Sequence, residues 1–312
     1  MLYEKPSDVI FHTCLNVKKS EKVLIIADKG TEKIGRQLYF DAQELAHADL
    51  EMIPVGKQSG EEPPAATAKK MLHYDVILAP TTQSLTHTKA VQVAKKNARI
   101  ATLPGITEQI MKESLMADYK KITAFNLKLG SFLKHAKHIQ ITTPSGTNLE
   151  LSVRDRAWIL DNGLIHQKGI VGNLPAGEVF TAPVEGTTHG ILVVDSFKHE
   201  HTTFAQRGTK IFLKEGEAVE ITDKRSVLAD YFKRIKNATN IAEIGIGTND
   251  EARIIGNILQ DEKVKGTVHI AFGNNSSIGG KVYSELHIDT ILQEPNVVVD
   301  GKVLMRRGNF AL

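Results

Sequence analysis

Lys22-Val-Leu-Ile-Ile-Ala27 is the stretch on which the fold turns. A lysine leads into five consecutive apolar residues, a run that alternates with nothing. Such a strand is buried on both faces, as in a parallel sheet covered by helices. Working outward, residues 31–48 read as a helix, with Ile34, Leu38, Leu45 and Ala48 on one side. Residues 50–55, 75–79 and 99–103 repeat the strand signal, and residues 86–97 read as a second helix. Pro104-Gly105 ends the last strand. Residues 118–137 form a long amphipathic pattern, with Ile122, Phe125, Leu129, Phe132 and Leu133 as its stripe. The expected N-terminal domain is therefore α/β with a mostly parallel sheet, and spans residues 1–137.

The texture changes from His138 onward. Residues 139–143 and 149–153 alternate apolar and polar around Pro144-Ser-Gly-Thr147, a hairpin signal. Further strands are expected at 190–197, 209–213 and 218–222, and helices at 225–237 and 249–260, the latter with Thr248 as N-cap. Asp300-Gly301, inside an apolar run from Val297 to Met305, marks another hairpin. Residues 138–312 thus read as a β-rich second domain.

The chain has 312 residues and a net charge of +3, with 41% hydrophobic and 24% charged residues. This is the composition of an ordinary globular protein. The basic run from Arg225 to Lys236 has helical spacing and reads as a solvated helix face, so no nucleic-acid partner is expected. No apolar run approaches 18 residues, so no membrane partner is expected. The single cysteine, Cys14, excludes an internal disulfide and a multi-cysteine metal site, and suits a cytoplasmic location.

Chemistry concentrates near the C-terminal end. Gly266-Thr-Val-His269-Ile-Ala-Phe-Gly273 and Leu286-His287-Ile-Asp289 set two imidazoles and a carboxylate among apolar residues and glycines. Residues two apart on a strand share a face, so His287 and Asp289 can reach one ion. Two acids join them: Glu178 in Gly177-Glu-Val-Phe-Thr-Ala-Pro183, and Glu243 in Ala242-Glu-Ile-Gly-Ile-Gly247. Carboxylates in such apolar settings need a partner or a cation. Two His and one Asp suit iron, manganese or zinc. Five donors are enough for two divalent ions that activate a shared water.

In this order, and with the His269 motif extended back through Asp261-Glu-Lys-Val-Lys265, the four motifs resemble the thermophilic aminopeptidase family of metallopeptidases, including its 2,5-dihydroxypyridine 5,6-dioxygenase-like branch. The resemblance implies Glu178, Glu243, His269, His287 and Asp289 as metal ligands, an α/β domain beside a β-rich metal domain, and a homodimer. It implies a metal-dependent aminopeptidase acting on N-terminal residues of peptides, with two zinc, cobalt or manganese ions and Glu178 as ligand or proton acceptor. The alternatives it leaves open are a ring-cleaving dioxygenase with one Fe(II), acting on a small hydroxylated heteroaromatic, and a non-catalytic metal-binding relative. The family's aminopeptidases carry a tyrosine seven residues after the first metal histidine; here Ser276 stands at that position. Ser276 and His87 are the substrate-side candidates. His87 closes Thr81-Thr-Gln-Ser-Leu-Thr-His87, a loop between a strand and a helix, where open α/β sheets bind ligands. His199-Glu200-His201 reads as a solvated turn.

Overall fold

The computed structural model describes residues 5–57, 59–195, 198–199, 202–203 and 205–312. By packing, the chain divides into two units. One holds the residues up to 119 together with 162–176, and the other holds 120–161 and 177–312. The expected boundary at 137 differs from this division. The helix Tyr119–Leu133 packs almost wholly with the second unit, and the segment 162–176 returns to the first. The reason is visible in the helix's apolar stripe: Leu129 and Leu133 are buried in the core that also holds Ile139, Leu149 and Ile244.

In the first unit Lys22–Asp28 is the central strand. Its residues Val23 to Ala27 are fully buried, as their unbroken apolar run requires. His47–Ile53 pairs on one side of it, and Val76–Ala79, Arg99–Thr102 and Val171–Asn173 follow in turn on the other, all parallel. The last of these strands was not legible: Val171-Gly-Asn173 is too short and too polar to announce itself. The expected helix over 31–48 is cut to Glu32–Gln43, because from His47 the backbone is taken by the ladder with Lys22–Asp28. The expected helix over 86–97 is observed as Lys89–Ala94, with the Thr88 hydroxyl accepting from the Val91 N–H.

One buried ion pair anchors this unit. The Arg99 guanidinium, 4% exposed, donates to both carboxylate oxygens of Glu21 at 2.7 Å and to the carbonyl of Leu15 at 2.6 Å. The hydrogen bond from Arg99 outweighs partial burial and lowers the Glu21 carboxyl below its usual value. A depressed carboxylate contributes stability that is present above its unfolded value and lost as pH falls through the folded one. Arg99→Met is expected to cost about 3 kcal/mol, because it strands Glu21 and the backbone carbonyls of Leu15 and Asn16. It should also flatten the acid limb of stability below pH 4.5. Urea unfolding at pH 7 and pH 4 checks both.

The second unit is built from antiparallel sheets. One has eight strands and includes the expected hairpins His138–Thr142/Asn148–Ser152 and Asn296–Val299/Lys302–Arg306. Asp300 and Gly301 turn the second hairpin with positive φ at both residues, the backbone that an Asp-Gly pair favours. A five-stranded sheet carries, in order, His287–Leu292, Val268–Gly273, Ile241–Gly247, Glu178–Thr181 and Ile159–Asp161. One face of it is apolar: Val179, Ile244, Ile246, Val268, Ile270, Phe272 and Leu292 all enter the core.

The helix expected over 249–260 does not form. Asn249 accepts backbone N–H bonds from Glu251 and Ala252 through its side chain, and the Asp261 carboxylate takes the N–H groups of Ile255 and Gly256. These local bonds compete with helical ones. Only Ile258–Asp261 is helical, capped by Asn257 rather than Thr248. No helix among the described residues is long and apolar enough to cross a membrane.

Candidate metal centre

The other face of the five-stranded sheet gathers the site. In an antiparallel pair, directly opposed residues project to the same side. Glu178 lies opposite Gly247 and Asp161, Gly245 opposite His269, Ala271 opposite Glu243 and Asp289, and Gly273 opposite His287. Every one of these positions therefore shares one face, and the five donors expected from sequence stand on it, drawn from four adjacent strands. The small residues between them make the room. A Cβ at Gly245 would fall inside the His269 imidazole, although the glycine has ordinary backbone angles. Gly245 is required for space, not for flexibility.

Glu178 and Glu243 are each 6% exposed and His269 is 1% exposed. His269 Nε2 lies 3.2 Å from Glu243 Oε1 and 3.3 Å from Glu178 Oε2. His287 Nε2 lies 3.4 Å from the other oxygen of Glu243 and 3.8 Å from Asp289 Oδ1. Its Nδ1 pairs with the Asn274 carbonyl at 2.8 Å, which fixes the ring with Nε2 toward the carboxylates. Glu178, Glu243 and His269 bring donor atoms within 4.8 Å of one another.

Burial and charge pairing oppose one another at each of these groups. Burial alone would raise the Glu243 carboxyl, but hydrogen bonds from His269 and His287 outweigh it and bring the group down to about 2. Burial works against charge on both rings, yet the bond to Glu243 and the surrounding carboxylates lift His269 to about 9 and His287 to about 10. Glu178 is raised, chiefly by burial, against the pull of Lys263 and His269. Its Oε2 is buried and has no hydrogen-bond partner among the described residues. An orphaned buried oxygen, facing an imidazole nitrogen in a set of N and O donors, fits a divalent transition metal.

Sequence reasoning missed three neighbours of this cluster. Lys263 is 1% exposed, and its Nζ lies 2.6 Å from Glu178 Oε1, 2.9 Å from Glu262 Oε1 and 3.7 Å from Asp161 Oδ2. In sequence, Asp261-Glu-Lys-Val-Lys265 has the mixed charge of a surface turn. The hint was its place inside the motif Asp261–Gly273 on which the family resemblance rests, with no role attached to the lysine itself. Burial pushes the Glu262 carboxyl up to about 8 despite Lys263 beside it. Of the substrate-side candidates, His87 is exposed and lies in the first unit. Ser276 is also exposed, and its hydroxyl bonds Asn274 Oδ1 at 2.8 Å. In His199-Glu200-His201, the side chains lie outside the described residues.

A family model for 2,5-dihydroxypyridine 5,6-dioxygenase matches residues 9–312. The chain belongs to the 2,5-dihydroxypyridine 5,6-dioxygenase family. A member from Pseudomonas putida, named as that dioxygenase, is 21% identical over 261 residues, which is 78% of this chain and 73% of the relative. The solved structure of 2,5-dihydroxypyridine dioxygenase from the same organism superposes with a TM-score of 0.83 at 17% identity, covering 98% of this chain and 96% of that one. Wild-type AmpT from Thermus thermophilus superposes with a TM-score of 0.74 at 18% identity, covering 98% of both chains. The two superpositions establish the shared fold, and with it the resemblance to the aminopeptidases and their dioxygenase-like branch. The expectation of an enzyme stands, because this family is one of enzymes. The expectation of an aminopeptidase is corrected: the family match spans almost the whole chain and names the dioxygenase instead. The motifs misled because one fold can host different chemistries, so a resemblance at the level of the fold does not fix the reaction.

Proposed function

We propose that the chain is an Fe(II)-dependent ring-cleaving dioxygenase acting on a small hydroxylated heteroaromatic of the dihydroxypyridine type. The observation that carries the proposal is the buried convergence of Glu178, Glu243 and His269 in a chain matched along its length by the dioxygenase family model. His269, His287 and Asp289 would hold one iron as a 2-His-1-carboxylate set, with Glu243 between the two imidazoles and Glu178 as a further oxygen donor beside His269. When bound, ferrous iron supplies redox chemistry toward dioxygen and leaves positions open for oxygen and substrate.

The chain's own residues do the rest. Asn274 orients the His287 ring through its carbonyl. The burial of Glu178, Glu243 and His269 excludes water and strengthens each charge interaction there. Glu178, whose buried Oε2 faces His269 Nε2 at 3.3 Å, would add a donor oxygen beside that ring.

The test is anaerobic reconstitution with ferrous iron, followed by 2,5-dihydroxypyridine in an oxygen electrode. One dioxygen consumed per substrate lost, with one iron per chain by elemental analysis, is expected. Glu178→Gln should weaken iron binding about 10–100-fold and lower the rate with it. Iron bound at full occupancy with no oxygen uptake on any hydroxypyridine would overturn the proposal.

A further inference from the structure

The ammonium of Lys263 sits in a cage of three carboxylates, from Glu178, Glu262 and Asp161. Oxygen donors converging in this way are what a hard cation selects. The cage is built independently of the lysine side chain. Asp161 and Glu178 face each other in the strand ladder, and the Asn126 amide donates to both of their backbone carbonyls at 3.1 Å. The Lys263 backbone is itself pinned, its carbonyl accepting from the Asn249 N–H at 2.8 Å and its N–H donating to Gln260. What remains for the ammonium to decide is the orientation of Glu178. It holds Oε1 at 2.6 Å, and Oε2 is thereby turned to His269 Nε2.

We propose that Lys263 is a tethered cation that fills this cage and positions Glu178, presenting one of its oxygens to the metal centre. The proposal rests on Glu178 and His269 being metal donors, and deepens that reading. Without the ammonium, the Glu178 carboxylate would stand beside two others and swing away from them. Lys263 acts through Glu178 and is a positioning residue.

A double-mutant cycle on the full chain tests this, with Mn(II) affinity measured by calorimetry on metal-free protein. Lys263→Met is expected to weaken binding at least tenfold, and to change it by less than twofold when Glu178→Gln is already present. An unchanged or stronger affinity in Lys263→Met overturns the positioning role. So does an equal loss in the Glu178→Gln background, which would mark a general structural effect. Because a cage of unpaired carboxylates can prevent folding, Lys263→Ala refolded in Mn(II) provides a second arm. It should hold one Mn(II) more per chain than the wild type, since an ion then takes the place of the ammonium. An equal count overturns the cation-cage claim. Failure of the metal reading is recognised separately: the wild type would then bind no Mn(II), while the Lys263→Ala arm still decides between one ion and none.

Discussion

Gly245→Ala is expected to lower the affinity for a divalent metal by about 10–100-fold, the range seen when the support of a ligand is disturbed. The added methyl would occupy the position of the His269 ring, which is 1% exposed and wedged between Glu178 and Glu243. Gly245 has no left-handed backbone that alanine would strain, so the effect is one of space alone. The ring must leave the cluster, or the strand Ile241–Gly247 must shift; overpacking of this kind costs about 1–3 kcal/mol. The two consequences separate in a cycle with His269→Ala. Once the ring is gone, the methyl fills its space, and Gly245→Ala should cost almost no stability. Calorimetric Mn(II) titration and urea unfolding of the four proteins check this. Full metal affinity in Gly245→Ala would remove His269 from the donor set.

Metal binding should release protons and strengthen steeply with pH. In the metal-free chain His269 and His287 hold their protons up to about 9 and about 10, while a bound ion needs neutral rings. With both rings charged, each ion displaces up to two protons, and affinity rises by up to about 100-fold per pH unit below pH 9. Titrations at pH 7.5 in two buffers of different ionisation heat measure the release directly, and no release would contradict the arrangement. Stability follows with a definite sign. Folded values above the unfolded 6.5 give the imidazoles a contribution that is complete below 6.5 and is lost as pH rises through about 9 and 10. Glu243, depressed to about 2, contributes above 4.5 and is lost only as pH falls through about 2. The metal-free protein should therefore weaken above pH 9, and bound metal should remove most of that loss.

The parallel strands of the first unit were legible because their apolar runs leave no alternative to burial on two faces. The hairpins were legible because Asp300-Gly301 and Pro144-Ser-Gly-Thr147 announce their turns. The helix over 249–260 was misread because propensity and periodicity take no account of Asn249 and Asp261 capturing backbone N–H groups. At the site, Glu178, Glu243, His269, His287 and Asp289 stood out as polar residues in apolar strands. Lys263 and Glu262 did not, since a charged turn looks the same in sequence whether solvated or buried.

Most of the strands, and the imidazoles and carboxylates they carry, follow from the sequence alone, because strand periodicity and the cost of burying charge are local properties; the short strands Ile159–Asp161 and Val171–Asn173 do not. The sequence did not determine which chemistry the cage serves. The folded chain is needed to align Glu178, Glu243, His269, His287 and Asp289, drawn from four strands, on one face. The tertiary structure also decided that Gly245 yields its space to a ring, and that a lysine 85 residues from Glu178 holds one of that residue's oxygens. Register across a sheet and the burial of a turn depend on partners far away along the chain, so no local pattern carries them.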